Sequence, residues 1–389
     1  MRFLSSLISP FGRFDKVHKL YCLSFLGTIA VLLSGAEGLH AQSKKLPEGD
    51  SGSVTKYNKK FNGIGPTVYV VYPEKSKKEK LQDSYTLKLG FQDSITKALD
   101  FQQLVEGFKA TSNEASIQPL LSTVPINKAD WLRLVEHEAN LENYPLAYAL
   151  LQAYAVQALR SQDIKEAVHL LNEALLHAQK TKETGDLATI QYNLANIYFY
   201  LKDVENAGFF QEASYKMAVQ HKNGVEQAVS LVKIALIQAF DKDYISAEST
   251  IIRKAIPLLN KAKAYDQKVD AWVALAKIYQ WQNKHTEAQW FLIQARDLAV
   301  KRNVTNDLAV IEYMLAFSKQ VQKNYTVAEQ EFIRADKLAQ LEQNKLLQLA
   351  IADRLGQVYM ERNDIPNAEN TLRSYQTLRR ELFKTDGDF

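Results

Sequence analysis

From about residue 144 to the end, apolar and polar positions recur at a fixed interval, and two columns of small side chains mark it. One column reads Ala155, Ala195, Ala235, Ala276, Ala316 and Gly356; the other reads Ala167, Ala207, Ala247, Ala288, Ala328 and Ala368. Both step by 40, 40, 41, 40 and 40, so the one extra residue falls in the same repeat for both. A period of about 40 residues predicts a solenoid, in which each unit buries its apolar face against its neighbours. The second column trails the first by a dozen positions, which predicts two helices per unit that cross closely. Intervals this short leave room for helix–turn–helix units and none for strands.

Upstream, the pattern changes. Ile95, Ala98, Leu99, Val105 and Phe108 fall on one stripe, which predicts a helix over 94–110 capped by Ser94 and packed on the first repeat. Trp131, Leu134 and Val135 mark a solitary helix over 128–141, suited to shielding the first exposed face of the solenoid. The run Thr67-Val-Tyr-Val-Val-Tyr72 is β-prone, and Tyr85–Phe91 alternates apolar with polar residues, which predicts a short hairpin. At the other end Leu372, Tyr375, Leu378 and Leu382 form the apolar face of a last helix, with Arg373, Arg379, Arg380 and Lys384 outside. The expected organisation is therefore a leader at 1–41, a flexible segment at 42–93, an amphipathic helix and linker at 94–127, and a capping helix with solenoid at 128–389.

The residues around the columns resemble the tetratricopeptide repeat (TPR). The copies include Trp272-x-x-Leu275-Ala276-x-x-Tyr279 with Ala288, Leu292 and Ala295; Leu194-Ala195-x-x-Tyr198 with Ala207; Leu315-Ala316 with Ala328, Phe332 and Ala335; and Leu355-Gly356-x-x-Tyr359 with Ala368 and Leu372. The family unit is about 34 residues, and the longer unit here extends each helix by nearly a turn. The Pro that closes many family repeats is missing, while Pro145, Pro257 and Pro366 lie near helix starts or loops. The resemblance implies an all-α fold, a right-handed α-solenoid of about six TPR-like helix pairs. It also implies that the first helix of each pair lines a concave groove that binds a protein or peptide partner. Carried onto this chain, that groove presents Tyr192, Asn196, Tyr200, Phe240, Lys277, Gln280, Trp281, Tyr313 and Phe317. Aromatic rings of this kind serve equally as binding hot spots or as core. Tyr192 and Val273 stand where the family's clamp for a C-terminal carboxylate has lysines, so that clamp is not expected. The exported repeats and the ending Tyr375-Gln-Thr-Leu-Arg-Arg-Glu-Leu-Phe383 resemble the extracytoplasmic sensor segments of bacterial histidine kinases, here without a kinase. That resemblance implies a scaffold, or alternatively a sensing module that acts with a separate membrane-bound signalling partner.

Composition adds the compartment. Residues 20–36 carry no charge, follow a basic stretch and end in small residues, the order of a secretory signal peptide. Cleavage after Ala36 or Ala41 would release a periplasmic or secreted chain with no membrane insertion; an uncleaved segment would anchor it. The single cysteine, Cys22, lies inside the leader, so the mature chain has no disulfide, thiolate metal site or cysteine nucleophile. Formal charge is +4, and +2 without residues 1–41, which gives no reason to expect nucleic acid.

Candidate chemistry is sparse. His137-Glu138 begins a zinc-protease motif, but Leu141 stands where its second His belongs. His169 and His177 lie two turns apart on one helix, too far to share a metal unaided. Gly63-Ile-Gly65 is followed by Pro66, not by a helix. These observations predict neither an enzyme nor a cofactor.

Overall fold

The computed structural model describes residues 74–117, 119, 121, 127–304 and 307–383, together with the backbone of 54–56 and 69–71. The expected leader over 1–41 lies outside the described residues. The chain divides into two compact units, residues 1–76 and 77–389.

In the first unit, β1 (Val54–Lys56) pairs antiparallel with β2 (Tyr69–Val71), Val54 opposite Val71. The β-prone run is thus a strand, but its partner is not Tyr85–Phe91. Tyr85 to Leu89 belong instead to α1 (Lys77–Leu89), which buries Leu81, Tyr85 and Lys88 on one face. Spacings of four and three put those side chains on one helical stripe, and packing of that stripe overrides local β propensity.

The second unit continues with α2 (Gln92–Glu106), the single turn α3 (Glu114–Ile117) and α4 (Lys128–Asn140). Helix α2 begins two residues before Ser94, and its N-cap position, Phe91, offers no side-chain cap. Helix α4 lies where the solitary helix was expected and packs on the first helix of the first pair. Asn127 accepts the Asp130 N–H at its start, while Trp131 stacks on Tyr154 at 5.3 Å and donates to Gln157 at 3.0 Å.

Six helix pairs follow, all antiparallel hairpins of TPR type: α5 (Tyr144–Arg160) with α6 (Ile164–Ala178), and α7 (Thr184–Tyr200) with α8 (Val204–Gln220). Helix α9 (Gly224–Phe240) pairs with a composite helix made of α10 (Tyr244–Ser249), a π-helical segment (Thr250–Ala255) and α11 (Ile256–Ala262). Then come α12 (Tyr265–Trp281) with α13 (His285–Arg302), α14 (Leu308–Val321) with α15 (Tyr325–Leu341), and α16 (Lys345–Glu361) with α17 (Ile365–Phe383). Every alanine of the two columns keeps at most 1% of its surface, as side chains at close helix crossings do. The extra residue of the third repeat is absorbed by the π-helical segment, where an inserted residue widens one turn without breaking the helix. Pro257 follows at once, inside the composite helix and not at a loop, and the widened turn precedes its missing N–H.

The turns have a period of their own. Non-glycine residues with φ between 55° and 68° stand at Glu142, Gln162, Lys202, Lys222, Lys242, Lys263, Asn283, Asn303, Lys323, Gln343 and Asn363. At Gln162 the residue donates to Leu159 O while Asp163 donates to Ala158 O, so the helix closes in a Schellman motif. Asp163 then caps the next helix by accepting the Glu166 N–H at 3.1 Å. Asp203, Asn223, Asp243, Asn344 and Asp364 repeat that cap, so one short turn stops one helix and starts the next.

Candidate partner-binding groove

The helix expected to pack on the first repeat does more than that. The stretch from Leu81 to Ile117 runs along the first helices of the pairs, from the last repeat back to the first. Leu81, Tyr85 and Ile95 join the core of the last two repeats, while Leu104 and Ile117 join that of the first two. Tyr85 donates to Ala368 O at 2.8 Å. A methyl on Gly356 would lie 2.2 Å from the Tyr85 hydroxyl, which explains why the sixth member of the first small column lacks even a Cβ.

Lys88 is fully buried between the rings of Tyr85 and Tyr375, 4.5 and 4.8 Å from their centroids. It meets the Asp353 carboxylate at 3.0 Å and donates to the Asp353 carbonyl at 2.6 Å. Gln92 donates to the second carboxylate oxygen at 2.8 Å. Burial pushes the Lys88 ammonium below its ordinary pKa, with Asp353 opposing the shift.

At the opposite end the chain has left the helix, and the groove grips its backbone. The Lys109 N–H donates to Asn193 Oδ1 at 2.9 Å, and the Lys109 carbonyl accepts from Asn193 Nδ2 at 2.8 Å and Gln152 Nε2 at 2.7 Å. Buried Asp186 accepts the Ser112 N–H and hydroxyl at 2.7 and 2.8 Å. Asn113 donates to Tyr148, Asp186 and Glu183, and Tyr148 donates to Asp186 at 2.6 Å. Burial and these carboxylates push the Tyr148 hydroxyl well above the usual tyrosine range. The Lys109 side chain pairs with Glu226 and lies over the Tyr192 ring, 4.3 Å from its centroid.

Between these ends, α2 is held more loosely. Among its residues only Ile95 and Leu104 are buried. Asp100 reaches Lys277 at 3.8 Å and Lys202 at 4.0 Å, and Phe101 meets Tyr200 edge-to-face at 5.7 Å. Burial lowers the Lys277 pKa, Lys233 and Lys202 add to the shift, and Asp100 opposes it; the side chain nonetheless keeps about 35% of its surface. A lysine surrounded by protein yet touching water is what a groove wall produces.

The nine groove residues read from the sequence therefore separate. Tyr192, Tyr200 and Lys277 lie under the chain's own N-terminal segment. Gln280 is spent on the next repeat, donating to Met314 O and Ser318, while Tyr313 packs on Phe332 and Phe317 lies between His285 and Arg354. Asn196 is half-buried and its amide nitrogen has no partner. Phe240 and Trp281 stay open at 37% and 38% exposure, edge-to-face at 6.5 Å, and Val321 continues the row at 41%. The residues that hold the N-terminal segment in the groove and that sequence reasoning missed are Lys88, Asp100, Lys109, Asp186, Asn193 and Lys202. A polar side chain on an inner helix carries no mark of what crosses it.

Among the described residues no group of three or more His, Cys, Asp or Glu is placed to hold a metal, and no helix is long and apolar enough to cross a membrane. No protein-family model matches the chain, and no curated protein matches it. Solved structures do resemble it in fold. A signal transduction ATPase with a TPR sensor from Pyrococcus horikoshii matches at TM-score 0.51 and 13% identity, over 81% of this chain and 50% of that one. A Rap protein complexed with competence and sporulation factor matches at TM-score 0.47 and 9% identity, over 79% and 99%. Aspartyl phosphate phosphatase F from Bacillus subtilis matches at 0.47 and 12%, over 82% and 98%. The six helix pairs, together with the first of these likenesses, identify the fold as a TPR-like α-solenoid.

Proposed function

We propose that the protein is an exported, non-catalytic interaction scaffold whose groove holds a peptide or helix of a protein partner. The observation that carries this reading is the grip of Asn193 and Gln152 on the Lys109 backbone. Three hydrogen bonds to main-chain atoms hold a polypeptide whatever its side chains, as peptide-binding surfaces do. The open row of Phe240, Trp281 and Val321, at the far ends of the first helices, offers rigid apolar anchors for a second chain.

Trp281→Ala tests this. Its indole is more than one-third exposed, so the substitution is expected to weaken partner capture by about 2 kcal/mol or more with little change in thermal stability. Quantitative mass spectrometry of proteins retained by wild type and variant measures the first quantity, and a thermal melt the second. A loss of about 3–5 kcal/mol in folding stability with unchanged capture would make the indole core and overturn the groove. Export is tested separately. The mature protein from its native host should begin at Glu37 or Gln42, whereas an intact Met1 in the cytoplasmic fraction would refute it.

A sensing module that reports to a membrane partner is the second reading. What favours it is the N-terminal segment tying the last repeat to the first, so that an occupant moving this segment would be felt at both ends. Co-purification of a compact peptide would support the sensor, and recovery of an envelope assembly the scaffold.

A further inference from the structure

The lysines around Asp100 define what the groove is built to receive. Lys202 and Lys277 converge on one carboxylate, and Lys233 lies close enough to disfavour the charged form of Lys277. The same two lysines face the open rings: Lys202 stands 5.1 Å from the centroid of Phe240 and Lys277 5.7 Å from that of Trp281. Lys233 also faces Asp270, so the cationic and aromatic part of the surface is the one formed by Lys202, Lys277 and the two open rings, and it is complementary to an anionic helix that carries apolar residues.

Helix α2 satisfies this surface only in part. Its ion pairs are long, its N-terminus has no side-chain cap, and half-buried residues supply most of its contact. The segments on either side are fixed far better, by buried Lys88 at one end and by the Asn193 clamp at the other. Gly90 and Gly107 stand at its two ends, where the chain can turn as the helix lifts.

We propose that α2 is an internal occupant which an acidic amphipathic helix of the partner replaces. The incoming carboxylate takes the place of Asp100 between Lys202 and Lys277, and an adjacent aromatic side chain takes that of Phe101 on Tyr200. Phe240 and Trp281 provide the first landing, since they are open while α2 is still in place. This inference rests on the groove reading above and adds the chemistry of the partner and the device that keeps weaker ligands out. A tethered occupant acts at an effective concentration on the order of millimolar, so only a ligand with better contacts displaces it.

The probe is a fluorescent peptide of residues 92–110. Against the full-length triple variant Asp100→Lys, Phe101→Ala, Leu104→Ala, which loosens α2, it is expected to bind at least 100-fold tighter than to wild type, measured by polarisation. The same peptide carrying Asp100→Lys should not bind, and adding Lys202→Glu and Lys277→Glu to the protein should abolish binding. Equal affinity for wild type and triple variant, or binding to neither, would overturn the exchange and leave the groove reading to Trp281→Ala. Circular dichroism establishes that the variant is folded. Should it unfold, hydrogen exchange on the wild type decides. Amides of α2 should exchange at least 100-fold faster than those of α7 and α12, and equal protection would mean that α2 never leaves.

Discussion

Two aspartates that face lysines hold the same N-terminal segment, and the two sites are opposite in character. Lys88 and Asp353 have side chains 1% and 3% exposed, 3.0 Å apart; Lys88 also donates to the Asp353 carbonyl, and Asp353 also accepts from Gln92. Asp100 lies between two lysines at 3.8 and 4.0 Å, with about one-third of its own side chain in water. In a dry site, removing one charge strands the other, whereas in a wet one solvent takes its place. The buried pair therefore sets where the segment docks, and the solvated one leaves its middle exchangeable. Identical residue types thus serve as an anchor in one repeat and as a latch in another, and burial alone separates the roles.

The sharpest break in this comparison comes from removing one buried partner. Asp353→Ala should cost about 3–5 kcal/mol by leaving Lys88 buried without a counter-charge. Chemical denaturation measures that cost, and Lys88→Met with Asp353→Leu should recover most of it. If the single variant loses no more than an exposed pair would, the anchor assignment is wrong.

Next is Gly356→Ala. The added methyl meets the Tyr85 ring, and overpacking of this kind costs about 1–3 kcal/mol, read from the same denaturation curves. The preceding repeat carries Ala316 at the equivalent position. A neutral Gly356→Ala would show that α1 is not seated on the last repeat.

Asp100→Asn should cost at most about 1 kcal/mol, and less as salt is raised. A loss as large as that at Asp353 would erase the distinction between anchor and latch.

The smallest effect concerns a carboxylate that faces another carboxylate. Asp270 has its pKa pushed up to about 7, chiefly by burial and then by Asp307, with Lys233 opposing. Because the folded state holds this proton more tightly than the unfolded one, the contribution is largest below about pH 4 and falls as pH rises through 7. Asp270 keeps contact with water, which limits the size of the effect. Asp270→Asn should raise the melting temperature at pH 8 and leave it unchanged at pH 4; a gain at both would rule out the titration.

Much of the solenoid was legible before any coordinates. The small columns, the capping helix and the six pairs follow from contacts within a repeat or with the next one, and such contacts write themselves into the sequence as a period. A second signal was equally available: the Asn or Asp at positions 143, 163, 203, 223, 243, 324, 344 and 364, spaced by 20 or 40 residues apart from one step of 81 that spans the extra residue. Each directly follows a residue in the left-handed conformation, so the column marks the turns between helices. Pro257 and the one longer step between columns likewise pointed to the third repeat, although only the backbone showed a π-helical segment there.

The sequence by itself determined the repeat, its helices and their turns, because those depend on neighbours a few tens of positions away. The tertiary structure alone decided what fills the groove. Tyr85 finds Ala368 and Lys88 finds Asp353, each from the far end of the repeat array, and no local period records pairings of that span. The groove residues named from the family pattern all lie on the first helices of the pairs. Which of them stayed open depended on α2, whose own stripe of Ile95, Ala98, Leu99 and Val105 says that it must bury a face and leaves unsaid against what. Only the folded superhelix, by bringing its first and last repeats within reach of one short segment, supplies the answer.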